Sequence, residues 1–218
     1  MSTRRPGAPM LARLAIAGIA VYFALDVALV FLRPRFSVLH NAESDYGSAG
    51  AYAWVMDLNF LLRGALSLAV ARALMLVGEA KDRTASLAHG GLVVWALASA
   101  ALAFFPDDPV GTPTHGLGRV HLALAFIAFA GVIVGTIAGS RAARGQPRLR
   151  SRSTALTVLA YAALIPVLLL GRVHLRPHSL GGLYEKLFLA IELAWLLVVS
   201  FSIVGPRERR RVPAVAGH

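Results

Sequence analysis

The chain consists of long apolar runs separated by short polar stretches. Six of these runs carry few charges, and each is long enough to cross a bilayer, which takes roughly 17–25 apolar residues in an α-helix. None of them alternates between apolar and polar positions, as the ~10-residue strands of a membrane β-barrel do. The pattern therefore predicts an all-α fold, a polytopic bundle of six transmembrane helices. The six runs are residues 14–32, 51–77, 88–105, 117–138, 154–171 and 183–204.

The stretches between these runs are too short to form another domain. The sequence therefore predicts one transmembrane domain at residues 14–204, between a basic N-terminal segment at 1–13 and a basic tail at 205–218. The first run is longer than the roughly 7–15 residues of a signal-peptide core, and it contains Asp26. We expect it to be retained as a helix.

Composition agrees with a membrane protein, because 57% of the residues are hydrophobic and 15% are charged. Soluble domains contain about 45–50% apolar and about 25% charged residues. The chain has no cysteine, which excludes disulfides and thiolate metal sites. His174 and His178 have ligand-like spacing, but Pro177 disfavours a regular helix there. We predict no metal site, and the sequence leaves any cofactor open.

The distribution of the +11 net charge predicts how the bundle is oriented. Thirteen Lys and Arg residues lie at the termini and in the second and fourth loops, whereas six lie in the other three loops. Short cytoplasmic loops carry the excess of Lys and Arg, so both termini are predicted to be cytoplasmic. The basic tail at 207–211 and the loop at 141–152 could also attract anionic lipid. Membrane lipids are the expected partners, and nucleic acid is not expected.

Four ionisable residues within the apolar runs are candidates for function. A charged side chain at the centre of a membrane helix costs about 2.5–3.5 kcal/mol, and such residues usually face the bundle interior. We predict that Arg63 forms an ion pair across helices with Glu192 or Asp26. This pair would either take part in the function or only hold the helices together. Asn59 lies one turn from Arg63 on the same helical face. The four residues are Asp26, Asp57, Arg63 and Glu192.

A second set of candidates lies where helices meet the outer loops. Asp108 follows the third run, His121 begins the fourth, and Glu185 begins the sixth. We predict that these side chains line one outer-facing pocket together with Arg172, and that Glu192 lies beneath it. The alternative is a set of separate, water-exposed salt bridges of little energetic value. The catalytic candidates are Asp108, His121, Glu185 and Glu192, and the binding candidates are Arg63, Arg172, Asp26 and Asp57.

Small residues predict a close helix contact. Gly131, Gly135 and Gly139 recur every four residues along the fourth run, a spacing that lets helix backbones approach each other. We predict that Gly135 contacts the backbone of a neighbouring helix in the same chain. We also predict that Pro166 kinks the fifth helix.

Several short motifs resemble one known family. Phe105, Pro106 and Asp108 form an F-P-x-D pattern, and Gly118 and His121 form G-x-x-H. Together with the segment from Gly182 to Leu187, they resemble the bacterial and archaeal membrane family known as domain of unknown function 998. The resemblance covers nearly the whole chain and implies a six-helix membrane protein, with no activity or site residues assigned.

Three functions are compatible with these patterns. One is an enzyme or binding protein with an outer-facing polar site for a lipid or lipid-linked substrate. Another is a permease for a small molecule or ion, and the third is a non-catalytic partner in membrane assembly. The expected location is a prokaryotic inner membrane, crossed several times.

Overall fold

The computed structural model describes residues 7–78, 82–109, 111–173 and 179–205. These residues form helices joined by loops, and no strand occurs among them. Two short 3₁₀ helices lie in loops, at Ser44–Gly47 and Arg150–Arg152. The α-helices are α1 (Gly7–Leu32), α2 (Ala53–Val77), α3 (Arg83–Leu102), α4 (Gly116–Ala143), α5 (Ser153–Ala162), α6 (Leu164–Val173) and α7 (Gly181–Val204).

Within the described ranges, six helical segments are long and apolar enough to cross a membrane. Five of them are single helices, and α5 and α6 together form the fifth span, Arg150–Val173. The predicted fold class is therefore confirmed. The predicted kink is an interruption at Ala163, three residues before Pro166, because proline offers no N–H to the helix and crowds the preceding turn.

An even number of spans brings the first and last described residues, Gly7 and Gly205, to the same end of the bundle. We call this the proximal end, and we call the opposite end, with the α1–α2, α3–α4 and α6–α7 loops, the distal end. The prediction that the termini are cytoplasmic makes the distal end the outer one, and this remains a prediction. The basic tail at 207–211 lies outside the described residues.

The α3–α4 contact is built from glycines on both helices. A Cβ atom on Gly135 would lie 2.9 Å from the backbone nitrogen of Leu92. A Cβ atom on Gly91 would lie 2.6 Å from the carbonyl oxygen of Gly131. The prediction that Gly135 contacts a neighbouring backbone is confirmed. Its partner Gly91 was not predicted, because a pattern on one helix does not identify the helix that packs against it.

This contact predicts a difference between two adjacent substitutions. Gly91→Ala should destabilise the protein by about 1–2 kcal/mol, because the added methyl group overpacks a backbone contact. Gly90→Ala is the matched control, since no atom lies within 4 Å of the position of its Cβ. It should leave stability unchanged or raise it slightly through helix propensity. Thermal unfolding in detergent measures both, and equal midpoints would contradict the packing argument.

The proximal half of the bundle is closed by apolar side chains. Helices α1, α2, α5 and α7 contribute buried alanine, leucine, valine and isoleucine residues to one cluster. A smaller apolar cluster lies at the distal end and includes Phe36, Tyr46 and Phe60. The ionisable side chains inside the bundle therefore lie between an apolar base and the distal loops.

Candidate functional site

Three buried polar side chains meet at the distal side of the bundle. The hydroxyl of Tyr22 on α1 donates to one carboxylate oxygen of Glu43. The Arg63 guanidinium on α2 donates to the other oxygen at 3.1 Å. The three residues are at most 2% exposed. We call Tyr22, Glu43 and Arg63 the buried triad, in which the arginine has the counter-charge that a membrane interior requires.

The triad corrects the predicted partner of Arg63. The sequence analysis chose Glu192 or Asp26 because both lie within helical runs, whereas the ion pair is made by Glu43, a loop residue. The α1–α2 loop folds back over the bundle and inserts this side chain. One feature of the sequence was compatible with this partner. Glu43 lies in a short loop, and the apolar runs on both sides of it fix the ends of that loop.

The loop that carries Glu43 is held in place from inside. We call residues 33–52 the cover loop. The buried guanidinium of Arg33 donates to the carbonyl oxygens of Tyr46, Ser48 at 2.7 Å and Ala49 at 3.2 Å. Three backbone carbonyl groups of the loop are thereby paired with a charged donor, which fixes the loop conformation.

The cover loop is also bonded to its neighbours. The Leu183 amide on α7 donates to the carbonyl of Leu39 at 3.0 Å, and the Lys186 ammonium donates to that of Asn41 at 2.8 Å. On the other side, the Ser44 hydroxyl donates to the Asp107 carboxylate at 3.0 Å. The loop therefore spans the distal end from α7 to the α3–α4 connection.

Three charged residues surround the triad and are partly exposed. Asp26 lies on α1, whereas Glu185 and Lys186 lie on α7, and these two helices pack against each other. Both carboxyl groups interact electrostatically with Glu43, Arg63 and Lys186. We call Asp26, Glu185 and Lys186 the rim residues. They lie between the buried triad and the exterior of the bundle, where α1 packs against α7.

Polar atoms without partners adjoin the triad on α2. Asn59 is fully buried, and neither its amide nitrogen nor its amide oxygen has a hydrogen-bonding partner in the part of the chain that the structure describes. The same holds for Nε of Arg63. The two side chains share one face at i and i+4. Buried polar groups are usually paired, so the unpaired atoms of Asn59 and Arg63 are exceptions that lie on one helical face.

Burial affects the pKa of Asp45, an acidic residue within the cover loop. It raises the pKa of the Asp45 carboxyl above its ordinary value. Hydrogen bonds from the Asn41 amide and the Ala42 backbone, both 2.9 Å, act in the opposite direction. Nearby Asp107 raises the pKa further by charge repulsion. The distal end is thus crowded with carboxyl groups.

A second polar group lies at the α3–α4 connection. Nδ1 of the buried His121 ring lies 2.6 Å from the carbonyl oxygen of Phe105, and its Nε2 lies 4.0 Å from the Asp107 carboxylate. A carbonyl accepts only from a protonated nitrogen, so the neutral ring carries its proton on Nδ1. Nε2 is then an acceptor, and it has no hydrogen-bonding partner among the described residues, because 4.0 Å is too long for a hydrogen bond.

Asp108 and Arg172, two predicted members of the outer pocket, make other contacts or none with its other predicted members. The Asp108 carboxylate accepts from the backbone of His115 at 2.8 Å and approaches Gly118, so it supports the beginning of α4. The Arg172 side chain is exposed at the end of α6. No polar contact joins either of them to His121 or Glu185 within the described residues. Among the described residues, no direct polar contact therefore links the predicted set, and the shared pocket stays a prediction.

The other two candidates within helices lie apart from the triad. Glu192 is fully buried, and neither carboxylate oxygen has a hydrogen-bonding partner among the described residues. Its polar neighbour on α4 is Thr136, whose hydroxyl donates to the Val132 carbonyl at 2.9 Å. Asp57 is partly exposed and interacts electrostatically with His121.

The described residues were also considered as ligands for a metal ion. No group of three or more His, Asp and Glu side chains in the described ranges is arranged to hold an ion. His174 and His178, the pair with ligand-like spacing, lie outside those ranges.

Six apolar helical spans around a charged network define a multi-pass integral membrane protein. A family model described as "Protein of unknown function (DUF998)" matches residues 16–202, well over half of the chain. The chain belongs to this family, as the F-P-x-D and G-x-x-H motifs suggested. No curated protein and no solved structure matches it.

Proposed function

We propose that this protein binds the headgroup of a lipid or lipid-linked molecule at the distal end of the bundle, which faces the outside of the cell. The observation that carries the proposal is that the partly exposed carboxyl groups of Asp26 and Glu185 both interact electrostatically with Glu43 and Arg63 of the buried triad. Acids at such a position cost free energy unless they meet a partner.

The depth of these carboxyl groups suits a headgroup. Helix α1 has 26 residues and α7 has 24, which correspond to about 39 Å and about 36 Å at ~1.5 Å per residue. The hydrocarbon core is only about 30 Å thick. Asp26 precedes the end of α1 by six residues, and Glu185 follows the start of α7 by four. Both therefore lie within about one helical turn of the headgroup boundary.

The apolar proximal half favours binding over permeation. A permeation route would need polar groups along the bundle axis. The proximal core is mainly apolar, and its buried serines, such as Ser140 and Ser200, donate to carbonyl groups of their own helices. The charged side chains that interact with the triad, Asp26, Glu185 and Lys186, lie on its distal side. A ligand can therefore approach from the bilayer or from the distal side.

Conversion of the bound molecule is a second candidate function. It is favoured by His121, whose Nε2 is buried without a hydrogen-bonding partner among the described residues and can act as a general base. Mass spectra of a lipid before and after incubation with the protein would distinguish turnover from binding.

Removing both rim carboxyl groups should abolish lipid retention. The double variant Asp26→Asn, Glu185→Gln preserves side-chain size but removes the two charges, so we expect lipid that co-purifies with the native protein to be lost. Asp82→Asn is the matched control, because Asp82 caps α3 at the proximal end and asparagine is an equally good cap. Native mass spectrometry of the purified protein measures bound lipid. Undiminished binding by the double variant would contradict the proposal.

A further inference from the structure

The outside of the bundle carries a groove between α3 and α4. Its volume is about 560 Å³, within the roughly 300–1,000 Å³ of sites for small molecules. The buried Gly91 and Gly131 lie at its base, because their lack of side chains lets the two helix backbones approach each other. Exposed apolar side chains line it, such as Leu87 and Val94 on α3 and Ile127 on α4. The groove is therefore an apolar surface shaped by two helices.

The groove has a polar end and an apolar end. Arg83, the first residue of α3, and Ser86 line the proximal end, and the other lining residues are apolar or glycine. Val94 follows Arg83 by 11 residues, which correspond to about 17 Å along α3 at ~1.5 Å per residue. One leaflet is about 15 Å thick, which is half of the ~30 Å hydrocarbon core. The groove therefore has the length of an acyl chain in the proximal leaflet.

Arg83 provides a positive charge at the level of the lipid phosphates. Its side chain is exposed, and its guanidinium takes part in no ion pair among the described residues. The acidic neighbour Asp82 accepts from the Ala85 amide at 2.6 Å as the cap of α3. A guanidinium can bind a phosphate through two parallel N–H bonds. The groove and this guanidinium thus suit two parts of one phospholipid.

A second copy of the chain is a less suitable occupant of the groove. Two copies inserted in the same orientation would form a dimer with its two-fold axis along the membrane normal. A dimer that packs through the groove would bring Arg83 of each copy to the same membrane level, where like charges repel. A lipid phosphate reverses the sign of that interaction.

We propose that the α3–α4 groove binds one phospholipid of the proximal leaflet, with an acyl chain along the groove and the phosphate against Arg83. This site is independent of the proposed function, because the headgroup site lies at the distal end of the bundle. Gly90 also lines the groove, and no atom lies within 4 Å of the position of its Cβ. Gly90→Leu therefore obstructs the groove with a side chain that begins in open space.

The test measures lipid at the groove with a local reporter. The chain has no cysteine, so Leu97→Cys introduces a unique site for a fluorescent label. Leu97 is exposed on α3, about one turn beyond Val94. Leu168→Cys on α6 is the matched reporter, because Leu168 is exposed and does not line the groove.

Phosphatidylglycerol with brominated acyl chains, which quench the label on contact, is titrated into the full-length protein in a neutral detergent. The groove is open along its length, so its lipid exchanges with detergent during purification and is added back in the titration. We expect half-maximal quenching of the Leu97 reporter at about a tenfold lower lipid concentration than that of the Leu168 reporter, a difference of about 1.4 kcal/mol.

Two substitutions test the acyl chain and the phosphate separately. Gly90→Leu should remove the difference between the reporters, whereas Gly171→Leu should preserve it, because Gly171 also has open space around its Cβ but lies on α6. Arg83→Gln should weaken the binding of phosphatidylglycerol and leave that of brominated diacylglycerol, which lacks the phosphate, unchanged. Arg72→Gln should affect neither lipid, because Arg72 is an exposed arginine on α2.

Other results would overturn the inference. Equal quenching of the two reporters would indicate ordinary surrounding lipid, and so would an unchanged preference in Gly90→Leu with its helices retained by circular dichroism. A change from dimer to monomer in Gly90→Leu, measured by analytical ultracentrifugation, would make the groove an interface between copies. The distal variant Asp26→Asn, Glu185→Gln should leave the Leu97 signal unchanged, so the failure of either proposal can be recognised separately.

Discussion

Replacing Arg63 by methionine is expected to destabilise the protein by about 3–5 kcal/mol, the range for breaking a buried ion pair. The change leaves the Glu43 carboxylate buried at 1% exposure with only the Tyr22 hydroxyl as a partner. Arg72→Met is the matched control, because Arg72 lies on the same helix and is exposed. Its effect should be within about 0.5 kcal/mol, as for surface substitutions.

A double-mutant cycle distinguishes a lost ion pair from lost packing. Adding Glu43→Gln to Arg63→Met removes the stranded charge, so the double variant should be more stable than Arg63→Met alone. Chemical unfolding in mixed micelles gives the four free energies. If the two single losses simply add, the residues are not coupled, and the triad does not stabilise the fold as an ion pair.

Gly182→Ala is expected to separate the cover loop from α7. A Cβ atom at this position would overlap the carbonyl oxygen of Asn41 and lie 2.6 Å from its carbonyl carbon. The loop would have to move, and the bonds from Leu183 and Lys186 to its backbone would lengthen. We expect a loss of about 2–3 kcal/mol, as for overpacking of a close contact.

Gly182→Ala should also loosen the cover loop itself, in addition to lowering the stability of the whole protein. Amide hydrogen exchange in residues 33–52 should increase, because local opening governs exchange. Gly181→Ala is the control, since its Cβ would meet the Ser179 hydroxyl at an ordinary 3.4 Å. Equal exchange in the two variants would show that the contact with Asn41 does not hold the loop.

The spans could be predicted from sequence because each must be apolar over the thickness of a bilayer, and this requirement is visible without any neighbour. Their ends were less accurate. The third run was expected at 88–105, but α3 extends over Arg83–Leu102. Its first turn is polar and begins where Asp82 accepts from the Ala85 amide. An apolar run shows which residues lie in the membrane, whereas the residue at which a helix begins or ends is set by capping interactions.

The site could be predicted only in part. The cost of a charge within the membrane predicted that Arg63 faces inward, and it also required a partner for this residue. Periodicity cannot show that a loop folds back between helices, so Glu43 was missed. Asp108 has the residue type of an active site, but its carboxylate supports the start of α4. Distinguishing a structural acid from a functional one requires its contacts.

The buried triad has a consequence for how the chain is made. Tyr22, Glu43 and Arg63 all belong to the first 63 residues, on α1, the cover loop and α2. These segments leave the ribosome before the other helices, since synthesis proceeds from the N-terminus. A nascent hairpin of α1 and α2 can therefore enter the membrane with Arg63 already neutralised by its own loop. Arg63 can therefore be paired during membrane insertion before α7 has been synthesised.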